Sequence, residues 1–99
     1  MKEESHWGII YCPKYGFIRG DRERRRRIER ALKAHHVDYD WVTSEHKHQV
    51  ERVFHIMVRD GYRTIVIIGG DSALNDAVNV LMGEERQVRD RVSLGVIPN

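Results

Sequence analysis

Two glycines, an aspartate and a serine stand in line at Gly69-Gly70-Asp71-Ser72, directly after the four β-branched residues Ile65-Val66-Ile67-Ile68. The chemistry that these residue types can do together is the binding of a phosphate. Glycines permit a sharp turn and a close approach of backbone to ligand. A helix beginning after them presents unpaired N–H groups and a partial positive charge to an anion. Leu74, Ala77, Val78 and Leu81 recur at helical spacing beyond the turn, so the segment reads as a buried strand, a glycine turn and a helix start.

Other groups with chemical potential are scattered more loosely. Arg24-Arg25-Arg26-Arg27, with Arg19, Arg22 and Arg30 nearby, form a cluster of the kind that attracts phosphate-bearing surfaces. Asp21, Glu23 and Glu29 are interspersed, which suits a solvated helix face with i,i+4 partners. Contact with an anionic membrane through Arg24, Arg25, Arg26 and Arg27 is a secondary role for this run, and nucleic acid is not an expected partner. His46, His48, His55 and Glu51 lack the spacing of a zinc site and read as surface residues, so no metal ligands are assigned. Cys12 reads as a half-buried strand terminus with no base beside it in sequence. Trp7 and Trp41 suit sheet edges or the boundary with another lobe, with stacking on adenine as the alternative.

The elements that must position these residues follow from periodicity. His6 to Cys12 is rich in strand formers and Pro13 ends it. A loop over 13–20 leads to a helix from Asp21 to about His35, with Ile28, Ala31 and Leu32 as a narrow apolar stripe. Val37 to Val42 alternates apolar and polar residues, as an edge strand with one drier face does. From about Lys47 to Asp60, Val50, Val53, Phe54, Met57 and Val58 fit an amphipathic helix that Gly61 stops. The helix after the glycine turn runs to about Met82, a charged connection reaches Arg91, and Val92 to Ile97 is the last strand.

Strands alternating with helices predict a three-layer α/β/α domain with four parallel strands, and the order 2-1-3-4 is the expected one. In such sheets ligands bind beyond the carboxyl ends of the strands, where loop directions diverge. A chain of 99 residues suffices for one such domain with a modest core. No apolar stretch approaches bilayer-spanning length. The charged start and the single cysteine favour a reducing, cytoplasmic setting.

With these landmarks in order, the sequence resembles the diacylglycerol kinase catalytic domain family, which includes bacterial lipid kinases and sphingosine kinases and is related to NAD kinases. Cys12-Pro13-Lys14-Tyr15-Gly16 stands where the family has an Asn-Pro-x-Ser-Gly loop, and Thr43 matches its threonine after the second strand. Gly69-Gly70-Asp71-Ser72-Ala73-Leu74-Asn75-Asp76-Ala77-Val78-Asn79 matches the hallmark Gly-Gly-Asp-Gly-Thr-x-Asn-Glu-Val-x-Asn. Leu94-Gly95-Val96-Ile97-Pro98 matches the fourth strand. The resemblance implies an ATP-dependent, Mg²⁺-assisted kinase that phosphorylates a lipid hydroxyl. Its nucleotide would be lined by Gly69, Gly70, Asp71, Ser72, Ala73 and Leu74 with Thr43, while Asn75 steadies the turn.

Ser72 and Ala73 depart from the family's Gly-Thr, moving the hydroxyl back by one residue. The family's lipid site and general base lie in a second, β-rich domain. This chain is therefore expected to be the nucleotide-binding part of a larger two-domain kinase, with no catalytic residue of its own and no activity in isolation. The alternatives are an NAD kinase-like portion, or a degenerate α/β module that self-associates as a homo-oligomer.

Overall fold

The computed structural model describes residues 6–13, 21–44 and 49–98. Its elements are β1 (His6–Tyr11), α1 (Asp21–Ala34), β2 (Asp38–Thr43), α2 (Gln49–Asp60), β3 (Thr64–Gly69), α3 (Asp71–Met82), α4 (Arg86–Arg89) and β4 (Ser93–Pro98). The strands form one parallel sheet, as the alternating pattern predicts, in the expected order β2-β1-β3-β4. Lys14 to Gly20, and Glu45 to His48 at the expected start of α2, lie outside the described residues.

Side chains on a strand alternate between faces, and the two central strands bury both. Ile10, Ile65 and Ile67 meet Val50, Phe54, Met57 and Val58 of α2 and Ala73 and Ala77 of α3 on one face. Ile9, Tyr11, Val66 and Ile68 meet Leu32 of α1 on the other. This explains why β3 reads as an unbroken apolar run instead of an alternating one.

Two helices stop in the same way. Tyr62 N donates to Met57 O and Gly61 N to Val58 O after α2; Val37 N donates to Leu32 O and His36 N to Lys33 O after α1. Both are the paired-bond termination that requires a left-handed residue just past the helix. Gly61 supplies it at φ 90° and His36 at φ 58°. Glycine takes this conformation without a Cβ penalty, whereas histidine does not. The motif also turns Tyr62 back into the core, where it is buried.

The charged connection before β4 contains the single turn α4. Glu85 O accepts from both Val88 N and Arg89 N, and Val88 packs on the core. One apolar residue in a charged stretch is too weak a periodic signal to reveal such a turn.

Candidate functional site

Strand β1 leads through α1 to β2 on one side, and β3 leads through α3 to β4 on the other. The chain therefore diverges between the carboxyl ends of β1 and β3, the position at which open parallel sheets bind ligands. Cys12 and the Gly69-Gly70 turn face each other there. Cys12 N donates to Ile68 O at 2.7 Å, which holds the two strand ends together.

The two glycines have different reasons to be glycine. A Cβ on Gly69 would stand 3.0 Å from the Cβ of Cys12 and 3.2 Å from that of Ala73, so this position lets α3 pack closely on the end of β1. A Cβ on Gly70 would meet nothing within 4 Å. Gly70 is exposed and extended, with φ −97° and ψ −170°. It serves as the N-cap of α3 and makes no side-chain cap.

Leu74 N donates to Gly70 O at 3.2 Å as the helix begins. The amides of Asp71, Ser72 and Ala73 come before that first bond and have no partner farther back in the helix. Three N–H groups, the helix dipole and an open approach over Gly70 make an anion-accepting mouth.

The side chains around this mouth divide by face. Asp71, Ser72, Leu74 and Asn75, with Val78, line an open depression of about 560 Å³ along α3. Ala73 is buried against the sheet, so its backbone amide is the part turned to the mouth. The family's threonine hydroxyl would stand at that inward position, whereas Ser72 carries its hydroxyl on the exposed side. Asn75 is exposed and makes no side-chain hydrogen bond among the described residues. The turn is instead held by the Leu74–Gly70 bond and by packing of Gly69 on Cys12.

Thr43 is not beside the turn. It pairs with Tyr11, which pairs with Ile68, so it sits two strands away, roughly 10 Å across the sheet. It shares the α1 face with Trp41, whose indole Nε1 donates to Thr43 Oγ1 at 3.3 Å. Trp41 is fixed in turn by Tyr11, with ring centroids 5.4 Å apart, and by the Arg25 guanidinium 4.9 Å above its ring. A tryptophan two residues before a threonine on one strand is a legible signal of this pair, since i and i+2 share a face, and it is a role distinct from covering a sheet edge or lobe boundary or stacking on adenine.

Electrostatics at the mouth also involve Cys12, which is half-buried. Burial, and secondarily the Asp76 carboxylate, push its thiol up to about 11. It is therefore neutral and unreactive at neutral pH. At the opposite end of the strands, Tyr62 donates its hydroxyl to Asp40 Oδ2, and His6 Nε2 lies 2.9 Å from the same oxygen. Burial first, then the bond to Asp40, push the Tyr62 hydroxyl up to about 12. This cluster joins β1, β2 and the turn between α2 and β3, far from the mouth. The sequence gives no periodic hint of it, because His6 and Tyr62 lie 34 and 22 positions from Asp40 and meet it only in the tertiary fold. His55 Nδ1 lies 3.3 Å from Glu84 Oε1, joining α2 to the end of α3; His46 and His48 fall outside the described residues.

A parallel, doubly wound sheet with a glycine-turned helix start at its point of divergence defines the class of the molecule. Within that class, the family model for the diacylglycerol kinase catalytic domain matches residues 6–99, and the chain belongs to that kinase family. No curated protein matches the chain. No described helix is long and apolar enough to cross a membrane.

Proposed function

We propose that this chain is the nucleotide-binding portion of an ATP-dependent lipid kinase of the diacylglycerol kinase type, completed by a second domain that carries the lipid hydroxyl and its base. One observation carries the reading. Gly70 is open to solvent at the switch point and is followed by three uncapped amides, which suits a terminal phosphate group.

The remaining residues take roles around that contact. The amides of Asp71, Ser72 and Ala73 donate to phosphate oxygens, and the exposed Ser72 hydroxyl adds a donor. The Asp71 carboxylate would hold Mg²⁺, since hard cations take oxygen ligands; when bound, the ion neutralises charge on the phosphates. Thr43, oriented by Trp41, is placed for the nucleoside end, and an extended nucleoside triphosphate laid across the end of β1 spans the gap. Phosphoryl transfer depends mainly on position and charge neutralisation, and this part of the enzyme supplies the position of the donor.

The test is titration with ATP and Mg²⁺ while the backbone amide resonances of residues 69–75 are followed. Shifts concentrated in that turn, and lost in Gly70→Asp without loss of fold, are the expected result. An unshifted turn at saturating nucleotide would refute the site.

A further inference from the structure

We infer that the outer edge of β4 pairs two copies of this chain, antiparallel about a two-fold axis at Gly95, so that their sheets become one. Among the described residues β4 is bonded on one side only, to β3.

The main chain defines which groups stand open on the other side. Ser93 N donates to Arg63 O at 2.6 Å, so Ser93 is turned toward β3. Main-chain groups alternate sides along a strand. Gly95 and Ile97 therefore also turn toward β3, whereas Val92, Leu94, Val96 and Pro98 turn outward. Both ends of this outward row are closed. Val92 N donates to Arg89 O at 3.2 Å. Pro98 has no N–H, and its carbonyl accepts from the Arg24 guanidinium at 2.8 Å. The N–H and C=O groups of Leu94 and Val96 remain between them.

This set is complementary to itself, and in one register. With Leu94 of each copy opposite Val96 of the other, every remaining N–H meets a remaining C=O across a closed two-fold contact. Sliding the copies one way sets Val96 against Val92, whose N–H is already used. Sliding them the other way sets Leu94 against Pro98, which has none to give. Either slip leaves a carbonyl without its donor.

Charge and side chains favour the same occupant. A two-fold axis brings each edge against its own copy, so a charge on that edge would face its like. Ser93 to Ile97 carries no charge, whereas β2, the opposite edge, carries Asp38 and Asp40, a common guard against such pairing. Val96 and Ile97 are 42 % and 36 % exposed. In the paired register Val96 lies across from Leu94 and Ile97 from Ser93, which covers both. The contact runs along about 20 Å of strand and belongs with the small interfaces, below about 1,200 Å² in total, so the dimer should dissociate on dilution. The pairing stands on main-chain geometry and is independent of the kinase reading.

The experiment is sedimentation velocity from about 10 μM to 1 mM, a range suited to a small interface, with hydrogen exchange of the β4 amides at both ends of the range. A dimer at the upper end is expected, with the Leu94 and Val96 amides protected there and exchanging freely at the lower end. Val96→Pro removes an outward N–H and no bond to β3, a substitution that edge strands accept. It should keep the circular dichroism spectrum and weaken the dimer by at least about tenfold, since each copy loses one donor. Val96→Lys keeps the main chain and sets a charge beside Leu94 of the second copy; it carries the same expectation if the proline variant unfolds. Ile56→Lys, at an exposed position of α2, should leave association unaltered. A monomer throughout the range, a dimer whose Leu94 and Val96 amides exchange freely, or equal weakening by Val96→Lys and Ile56→Lys would each overturn the proposal.

Discussion

The Cβ of Cys12 lies 3.0 Å from the point where Gly69 would place a Cβ, whereas a Cβ on its neighbour Gly70 would meet nothing within 4 Å. One glycine is required by the protein's own packing and the other leaves room for a ligand. Gly69→Ala should therefore cost about 1–3 kcal/mol by overpacking the junction of β1 and α3. Gly70→Ala, at a φ that any residue adopts, should change stability by less than about 1 kcal/mol, because alanine's smaller unfolded-state entropy is offset by its poorer N-cap preference. Urea denaturation of the two variants measures the contrast. A tolerant Gly69 would show that the turn is looser than this contact requires.

Stability should fall as the solution is made alkaline. Cys12 and Tyr62 ionise at about 11 and about 12 in the folded chain, above their ordinary 9.0 and 10.0. Between those values the unfolded chain has already released protons that the folded chain retains, so folding weakens as pH rises. The contribution is complete below about pH 9 and lost by about pH 12. Cys12→Ala should flatten the lower part of the decline and Tyr62→Phe the upper part, as read from unfolding midpoints across the range. At neutral pH Tyr62→Phe should also cost about 1 kcal/mol, the ordinary worth of a hydrogen bond.

His36 occupies a left-handed position at φ 58° where α2 uses Gly61. His36→Gly removes a steric cost of about 1–2 kcal/mol, offset in part by the greater freedom of glycine in the unfolded chain. A net gain of about 1 kcal/mol in stability is expected, together with an unchanged circular dichroism spectrum. The reciprocal Gly61→His should destabilise.

Trp41 holds the Thr43 hydroxyl oxygen by its indole N–H. Trp41→Phe keeps the ring beside Tyr11 and Arg25 but removes that donor. Under the proposed function, ATP affinity should drop by about fivefold, equivalent to one hydrogen bond, whereas Trp7→Phe should leave it unaltered. Calorimetric titration of both variants decides the point; equal affinities would remove Thr43 from the nucleotide path.

The strands, the Gly61 helix stop and the glycine turn were legible because each is written locally. Ile65 to Ile68, a run of β-branched residues before two glycines, reads as a strand covered on both faces. Val50, Phe54, Met57 and Val58 define one helical stripe, and Gly61 ends it. Local steric and hydrophobic preferences act over a few residues, so a short window of sequence contains them. Tertiary structure decided which residues share a place. It set Cys12 beneath Gly69, turned Ala73 inward and Ser72 outward, moved Thr43 two strands from the turn, and joined His6, Asp40 and Tyr62. It also divided the arginines, tying Arg24 to Pro98 across 74 positions of chain while leaving Arg26 and Arg30 in solvent. Those relations depend on strand register and on the tilt of α1 over the sheet, which are fixed by the sum of many distant contacts.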